Sequence, residues 1–181
     1  MKQWEKIGSE VIFEHPRITL VEDQVRLPGG EETKYLVFAE PHDFPTIIAT
    51  RTDGKILVTE EYAYPINEML WQFPEGLADE GEDMLAAAHR ELLEETGYAS
   101  QKMSVIGSVL HNHRRMTARQ YVVLATDTEV RQKANTDLEE GEIRLHWYDE
   151  RKIWDLIATG KMIQKNALAA WAVYQANRKA S

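Results

Sequence analysis

Residues 76–98 read GLADEGEDMLAAAHRELLEETGY, and this stretch decides how the rest of the chain is interpreted. Residues 83–96 contain good helix formers and neither glycine nor proline, and Gly97 follows where a helix commonly ends. The pattern therefore predicts a helix over 83–96. On a helical wheel, four of its residues form one stripe that we expect to face the core: Leu85, Ala88, Leu92 and Thr96.

Three glutamates occupy an adjacent arc of the predicted helix: Glu91, Glu94 and Glu95. Like charges at these spacings repel each other by a few tenths of a kcal/mol per pair, and Arg90 relieves only part of this by pairing with Glu94. A hard divalent cation is a better solution, because Mg²⁺ prefers oxygen ligands. The alternative is an ordinary solvated acidic face. The apolar run before it, residues 71–76 (WQFPEG), ends in a turn that can offer a backbone carbonyl as one more oxygen ligand.

The segments on either side of this helix alternate between strand and turn signals. Runs rich in β-branched and aromatic residues predict strands, and Asp53-Gly54 suits a hairpin. Two further helices are predicted near the end of the chain, at 150–158 and 163–177. A mixed sheet flanked by helices is the expected architecture. The predicted strands are 10–14, 18–27, 33–39, 46–50, 55–62, 103–110, 120–126 and 143–148.

The spacing Gly76, five residues, Glu82, seven residues, then Arg90-Glu91-Leu92-Leu93-Glu94-Glu95-Thr96-Gly97-Tyr98 resembles the full Nudix box. Every fixed position of that pattern is present, and Tyr98 stands where a smaller aliphatic residue is more usual. The resemblance implies an α/β fold, the Nudix α/β/α sandwich with a mixed sheet, preceded by antiparallel strands. We therefore expect a strand region over 1–45 that forms a homodimer, and a Nudix hydrolase domain over 46–181.

The resemblance also implies an activity and assigns roles to residues. Nudix hydrolases cleave a pyrophosphate that joins a nucleoside to another group, with Mg²⁺ or Mn²⁺ as the cofactor. Carried over position by position, Glu91 and Glu95 would be the main metal ligands, Glu94 would share a further ion, and the Glu75 carbonyl would add a ligand. Arg90 would pair with Glu82 to hold the loop, helix and loop in shape.

An acidic segment after the box, residues 137–142 (DLEEGE), resembles the loop that carries the general base in Nudix enzymes acting on ADP-ribose. Attack of water at phosphorus requires such a base. We expect Glu140 to be the base, with Glu139 and Glu142 as alternatives. An ordinary solvated loop is the competing interpretation.

A basic segment, residues 111–119 (HNHRRMTAR), lies between two predicted strands and contains no acid. Arginine pairs with phosphate through two hydrogen bonds, so this loop is a candidate for holding a diphosphate. The predicted substrate-binding residues are Arg114, Arg115 and Arg119, with Arg51 as a weaker candidate. A solvated hairpin loop is again the alternative.

The choice of substrate within the family depends on weaker features. Residues 60–65 (EEYAYP) resemble the strand end of ADP-ribose and nucleoside-diphosphate-sugar pyrophosphatases, whereas Ala63 replaces an arginine usual there and Arg114 replaces a proline. We expect NMP and a sugar phosphate as products. The alternatives are an RNA 5′-pyrophosphohydrolase, a dinucleoside polyphosphate hydrolase, and a non-catalytic nucleotide-binding Nudix module. The last of these typically lacks box glutamates, all of which are present here.

The composition sets outer limits on function. The 181 residues include no cysteine, which excludes disulfides, thiolate metal sites and a cysteine nucleophile, and the formal net charge is -9. Residues 76–98 and 137–142 carry this acidic excess. We expect a cytoplasmic enzyme acting on a small nucleotide, with no membrane span and no extended nucleic-acid surface. Three tryptophans lie in apolar patterns and are expected in the core: Trp147, Trp154 and Trp171.

Overall fold

A computed structural model describes residues 3–39, 42–133 and 143–180 of the chain. The chain divides into two compact units. The first comprises Met1–His42 with Leu110–Ala118, and the second comprises Asp43–Val109 with Arg119–Ser181. The segment 110–118 therefore belongs to the first unit, although the sequence places it far from the N-terminal strands.

The first unit contains a three-stranded antiparallel sheet with the order β1-β2-β3. In its β2–β3 turn the Leu27 N–H donates to the Glu31 carbonyl at 2.8 Å and the Gly30 N–H donates to the Leu27 carbonyl at 2.9 Å. Gly30 has a φ of 94°, a conformation that favours glycine. The backbone N–H of Phe38 donates to the carbonyl of Arg115 at 2.8 Å, which attaches the basic segment to β3. The strands are β1 (Glu5–His15), β2 (Ile18–Arg26) and β3 (Glu32–Ala39).

The second unit is a mixed α/β structure, as the sequence predicts. One sheet has the order β4-β9-β8, with β4 parallel to β9, a second has the antiparallel order β11-β5-β6, and β7 pairs with β10. The strands are β4 (Phe44–Ala49), β5 (Ile56–Ala63), β6 (Glu68–Gln72), β7 (Tyr98–Ala99), β8 (Lys102–Leu110), β9 (Arg119–Thr126), β10 (Glu129–Val130) and β11 (Arg144–Tyr148). The helices are α1 (Met84–Thr96), α2 (Glu150–Ala158) and α3 (Lys165–Ala180).

Strand β4 is the centre of the second unit, and all six of its residues are buried. A continuous buried run is typical of a strand in a parallel pair that is covered on both faces. Its Ile47 packs with Leu92 of α1, and its Ile48 belongs to a second cluster with Trp171 of α3. Strand β4 is thus fixed between the two helices that matter most for the site.

The predicted core stripe of α1 is confirmed. Ala88, Leu92 and Thr96 are buried, and Leu85 packs against the same cluster. Of the three tryptophans expected in the core, Trp171 is 1% exposed, whereas Trp154 is 50% exposed, so the expectation was wrong for Trp154. Trp154 instead packs edge-on against Trp171 from outside. Within the described ranges, no helix is long and apolar enough to cross a membrane.

Candidate active site

Helix α1 is fixed at both ends by its own sequence. The Asp83 carboxylate precedes the helix and accepts hydrogen bonds from the backbone N–H groups of Leu85 and Ala86. Gly97 ends the helix with a φ of 72°, and its N–H donates to the Leu93 carbonyl. Both features are standard helix caps. They hold the orientation of the glutamates on the last two turns.

The side chain of Arg90 joins helix α1 to the loop that precedes it. Its guanidinium donates two hydrogen bonds to Glu82, from Nε at 3.2 Å and from Nη2 at 2.9 Å, and Nη2 also donates to the Leu77 carbonyl at 2.8 Å. These bonds raise the pKa of Arg90 and hold the pKa of the Glu82 carboxyl below its usual value. The family-based expectation that Arg90 and Glu82 shape the loop agrees with this geometry.

The same guanidinium also contacts two of the predicted metal ligands. Its Nη1 lies 2.7 Å from Glu91 Oε1 and 3.3 Å from Glu94 Oε2. Arg90 therefore offsets the repulsion between these carboxylates. Among the described residues, no group of three or more acidic or histidine side chains is gathered as a ready-made metal cluster. A bound cation would share the carboxylate oxygens with Arg90.

Glu91 lies against the turn at Gly76. A Cβ atom at position 76 would lie 2.1 Å from the Glu91 carboxyl carbon, far inside van der Waals contact. Glu91 is only 8% exposed. Glycine is required here by this close approach, since Gly76 is not one of the residues with positive φ. The turn and the first of the three helix glutamates therefore form one packed arrangement.

The residues present fit a hard divalent cation by their chemistry. Glu91 is buried beside Gly76, Glu95 is half-buried one turn later, and Glu94 is exposed on the same arc. Carboxylate and carbonyl oxygens are the preferred ligands of Mg²⁺ and Mn²⁺. The residues that would hold the ion are Glu91, Glu94 and Glu95, with the Glu75 carbonyl.

Glu75 has a second role that the sequence did not reveal. Its side chain is partly buried and accepts hydrogen bonds from Thr46 Oγ1 at 2.8 Å, Gln164 Nε2 at 2.7 Å and Asn166 Nδ2 at 3.1 Å. Burial raises the pKa of the Glu75 carboxyl, and the three hydrogen bonds oppose that rise. The partners lie 29 to 91 positions away in the chain, so no local pattern could have identified them.

The predicted general base and its alternatives, Glu140, Glu139 and Glu142, lie outside the described residues, as does the whole acidic segment 137–142. Their assignment remains the prediction made from the sequence. Strand β11 begins at Arg144, two positions after the end of this segment. It pairs with β5, where Arg144 is opposite Glu60.

The four predicted phosphate-binding arginines have different surroundings. Arg115 donates from Nη1 to the Leu36 carbonyl at 2.9 Å and lies over the Tyr35 ring at 5.1 Å. Arg114 is exposed, and its guanidinium makes no hydrogen bond or ion pair within the described residues. Arg119 is exposed at the start of β9. Arg51 is paired with the Asp53 carboxylate at 2.7 Å and lies over the Trp147 ring at 4.6 Å.

An open cavity of about 280 Å³ in the first unit brings two of these arginines together. Arg114 and Arg115 line it with Tyr35, His113 and Asp23. Tyr35 donates its hydroxyl hydrogen to the Arg114 carbonyl at 2.6 Å. The cavity thus combines an aromatic ring with an uncommitted cation.

The contrast between Arg114 and Arg115 gives a prediction. Arg115→Ala removes a carbonyl hydrogen bond and a cation–π contact, so we expect the free energy of unfolding to fall by about 1–2 kcal/mol. Arg114→Ala should leave stability unchanged and raise KM for a diphosphate substrate roughly tenfold. Steady-state kinetics and chemical denaturation measure the two effects, with Arg151→Ala, an exposed arginine of α2, as the control. Unchanged kinetics for Arg114→Ala would make this loop an ordinary surface loop.

The chain matches the NUDIX domain family over residues 41–171. This match covers well over half of the sequence, and the chain belongs to the Nudix family. The resemblance seen in the box is therefore confirmed. Nudix hydrolases generally use divalent metal ions.

Individual relatives add detail to the family assignment. The chain is 28% identical to an ADP-ribose pyrophosphatase of Mycobacterium tuberculosis over 92% of its own length and 80% of that protein. It is 32% identical to an ADP-ribose pyrophosphatase of Bacillus subtilis and 35% identical to a methanol dehydrogenase activator of Bacillus methanolicus. Each of these two alignments covers about half of both chains, 55% and 54% for the first and 54% and 52% for the second.

A solved structure supports the fold. The crystal structure of an ADP compounds hydrolase superposes with a TM-score of 0.89, covers 99% of this chain and 96% of that chain, and is 17% identical in sequence. The predicted Nudix fold with additional N-terminal strands agrees with this superposition.

Proposed function

We propose that this protein is a metal-dependent Nudix pyrophosphatase that cleaves ADP-ribose or a nucleoside diphosphate sugar into NMP and a sugar phosphate. The observation that carries the proposal is the intact box, in which Gly76, Glu82 and Arg90 hold Glu91 in a buried position beside the turn. The similarity to two ADP-ribose pyrophosphatases favours this substrate group. The metal is Mg²⁺ or Mn²⁺.

Several residues of the box bind the metal ion together. Glu91 and Glu95 are the main ligands, Glu94 shares a further ion, and the Glu75 carbonyl adds an oxygen. When bound, divalent ions neutralise the diphosphate and lower the pKa of water. Arg90 keeps Glu91 and Glu94 in place, and its hydrogen bonds to Glu82 raise its pKa.

Activation of water and recognition of phosphate fall to residues outside the box. Glu140 takes the proton of the attacking water, with Glu139 and Glu142 as alternative bases. Arg114 and Arg115 contact the diphosphate, and the neighbouring Tyr35 ring offers a surface for the nucleobase. Arg119 and Arg51 are secondary candidates, and the pairing of Arg51 with Asp53 limits its availability.

One alternative has some support. Three RNA pyrophosphohydrolases are similar to part of the chain, and the one from Bartonella bacilliformis is 41% identical over 76 residues. The net charge of -9 disfavours RNA as the substrate, because RNA binding requires a broad basic surface. A non-catalytic module is disfavoured by the presence of every box glutamate.

The decisive experiment is a pyrophosphatase assay on the purified chain. We expect release of AMP from ADP-ribose, or of NMP from a nucleoside diphosphate sugar, that stops when EDTA removes the metal and returns when Mg²⁺ or Mn²⁺ is added. Capped or triphosphorylated RNA and dinucleoside polyphosphates are assayed in parallel. If only RNA is hydrolysed, the protein is an RNA pyrophosphohydrolase and the proposed substrate group is wrong. If none of these compounds is hydrolysed, a non-catalytic nucleotide-binding module is favoured.

We also propose that the first unit forms a homodimer. Strand β1 exposes an apolar surface in which Val11, Ile12 and Phe13 are each about half exposed, at 56%, 49% and 50%. Ile18 and Leu36 on the neighbouring strands are 39% and 37% exposed. Large apolar side chains exposed on a small sheet are candidates for an interaction surface. Light scattering on the purified chain tests this proposal, and a monomer at micromolar concentration would contradict it.

A further inference from the structure

The side chain of Glu75 joins three elements of the second unit that are remote in sequence. Thr46 belongs to β4, and Asn166 belongs to the first turn of α3, directly after Gln164 and Lys165. Thr46 is 0% exposed and Asn166 is 7% exposed. Two of the three donors to the Glu75 carboxylate, Thr46 and Asn166, are therefore buried, and the third, Gln164, is partly buried.

The hydrogen-bond directions in this network are fixed. Gln164 Oε1 accepts from the backbone N–H of Ala167 at 2.7 Å, so its Nε2 must be the atom that faces Glu75. Buried Gln120 donates from Nε2 to Thr46 Oγ1 at 2.9 Å and to the Asn166 carbonyl at 2.7 Å. The Thr46 hydroxyl therefore accepts from Gln120 and donates its own hydrogen to Glu75 Oε2.

Both oxygens of Glu75 are consequently acceptors. Oε1 receives hydrogen bonds from two amide groups, and Oε2 receives one from a hydroxyl. A glutamine or an apolar residue at position 75 would leave at least one buried donor without a partner, which costs free energy. The pocket is thus specific for a carboxylate at this position.

The backbone of the same residue is held as firmly. Residues Thr46 and Glu75 form an antiparallel bridge, and the Ile47 N–H donates to the Pro74 carbonyl at 2.8 Å. The next residue, Gly76, is the one that the Glu91 carboxylate contacts. A displacement of the Glu75 side chain would therefore be transmitted over one peptide unit to the proposed metal-binding turn.

We infer that Glu75, held by Gln164 and Asn166 of the α3 region, is a positioning residue that fixes the turn carbonyl and Glu91 for binding the divalent ion. The inference rests on the proposed function, since it assigns the α3 N-terminus a task in that same site. Groups that orient metal ligands from outside typically change metal affinity 10–100-fold when they are removed. The side chain of Glu75 itself does not contact the ion in this scheme.

Gln164→Ser is the most informative variant. Serine retains an oxygen that caps α3 but is too short to reach Glu75, so the helix cap is kept and only the contact with Glu75 is lost. Gln175→Ser is the matched control, because Gln175 lies on the same helix and donates to the Glu150 carboxylate at 3.3 Å. Asn166→Ala is a second probe of the same contact.

The readout is Mn²⁺ binding to the whole chain without substrate, measured by calorimetry or electron paramagnetic resonance. We expect Gln164→Ser to raise the Mn²⁺ Kd about tenfold and to lower the Tm by only a few degrees, whereas Gln175→Ser leaves the Kd unchanged. At saturating metal, KM for ADP-ribose should stay at the wild-type value. A Kd within twofold of wild type for Gln164→Ser would overturn the inference.

Glu91→Gln separates this inference from the proposed function. If Glu91→Gln weakens Mn²⁺ binding but Gln164→Ser does not, only the positioning role is wrong. If both variants weaken Mn²⁺ binding while the wild type hydrolyses no diphosphate, the positioning role stands and the proposed reaction is wrong. If Glu91→Gln leaves Mn²⁺ binding unchanged, the metal site itself is misassigned and the positioning role falls with it.

Discussion

Glu95→Gln is expected to reduce turnover by at least about three orders of magnitude while the fold stays intact. A metal ion contributes several kcal/mol to stabilising the charge that develops in phosphoryl transfer, and a neutral amide binds it far more weakly than a carboxylate does. Glu95 is half-buried near the C-terminal end of α1. The substitution preserves shape and removes one of several like charges, so little stability should be lost.

Activity and thermal stability of Glu95→Gln are measured on the same protein preparation. Steady-state kinetics over a series of metal concentrations up to saturation separate weak metal binding from lost chemistry, and thermal unfolding tests the fold. Asp155→Asn is the control, because Asp155 is an exposed helix carboxylate on α2. Near-normal turnover of Glu95→Gln would show that Glu95 is not a metal ligand.

The part of the site that lies within one helix could be predicted from the sequence. The spacing of apolar residues placed Leu92 in the core, and Gly97 marked the end of the helix, because both signals act over a few residues. The pairing of Arg90 with Glu82 came from the family resemblance and has the expected geometry. The local sequence pattern and the family motif together therefore predict the carboxylates of α1 and the Arg90–Glu82 pair beside them.

Contacts between distant segments could not be predicted in this way. Gln164 and Glu75 are 89 positions apart, and the structure alone shows that they share a hydrogen bond. Arg115 illustrates the same limit, since nothing in the sequence indicates that its guanidinium donates to the Leu36 carbonyl, 79 positions away. Such pairs depend on how strands and helices pack against each other. Neither secondary-structure propensity nor hydrophobic periodicity contains information about that packing.

Short or atypical elements were missed for a related reason. Strand β6 (Glu68–Gln72) was not predicted. It lies just before the turn at Pro74, and its last two residues belong to the apolar run 71–76 that ends in that turn. The two-residue strands β7 and β10 are too short to give a periodic signal. Their pairing depends on each other's position and on the end of α1.

The second large effect is expected for Gly76→Ala. The added Cβ would lie within 2.1–2.4 Å of three carboxyl atoms of Glu91, so one of the two groups must move. The Glu91 carboxylate is the end of a flexible side chain, whereas Gly76 belongs to a turn held by β4 at the preceding residues. Glu91 should therefore be displaced, and kcat/KM should fall by about two orders of magnitude or more.

A double-mutant cycle tests whether Gly76→Ala acts through Glu91. If the added methyl group only displaces that carboxylate, Gly76→Ala and Glu91→Gln remove the same interaction, and the double variant should be about as active as the weaker single variant. Gly29→Ala is the control, because a Cβ there meets its nearest atom at 3.4 Å. Fully additive losses in kcat/KM would mean that Gly76→Ala lowers activity without displacing Glu91, for example by changing the direction of the turn carbonyl.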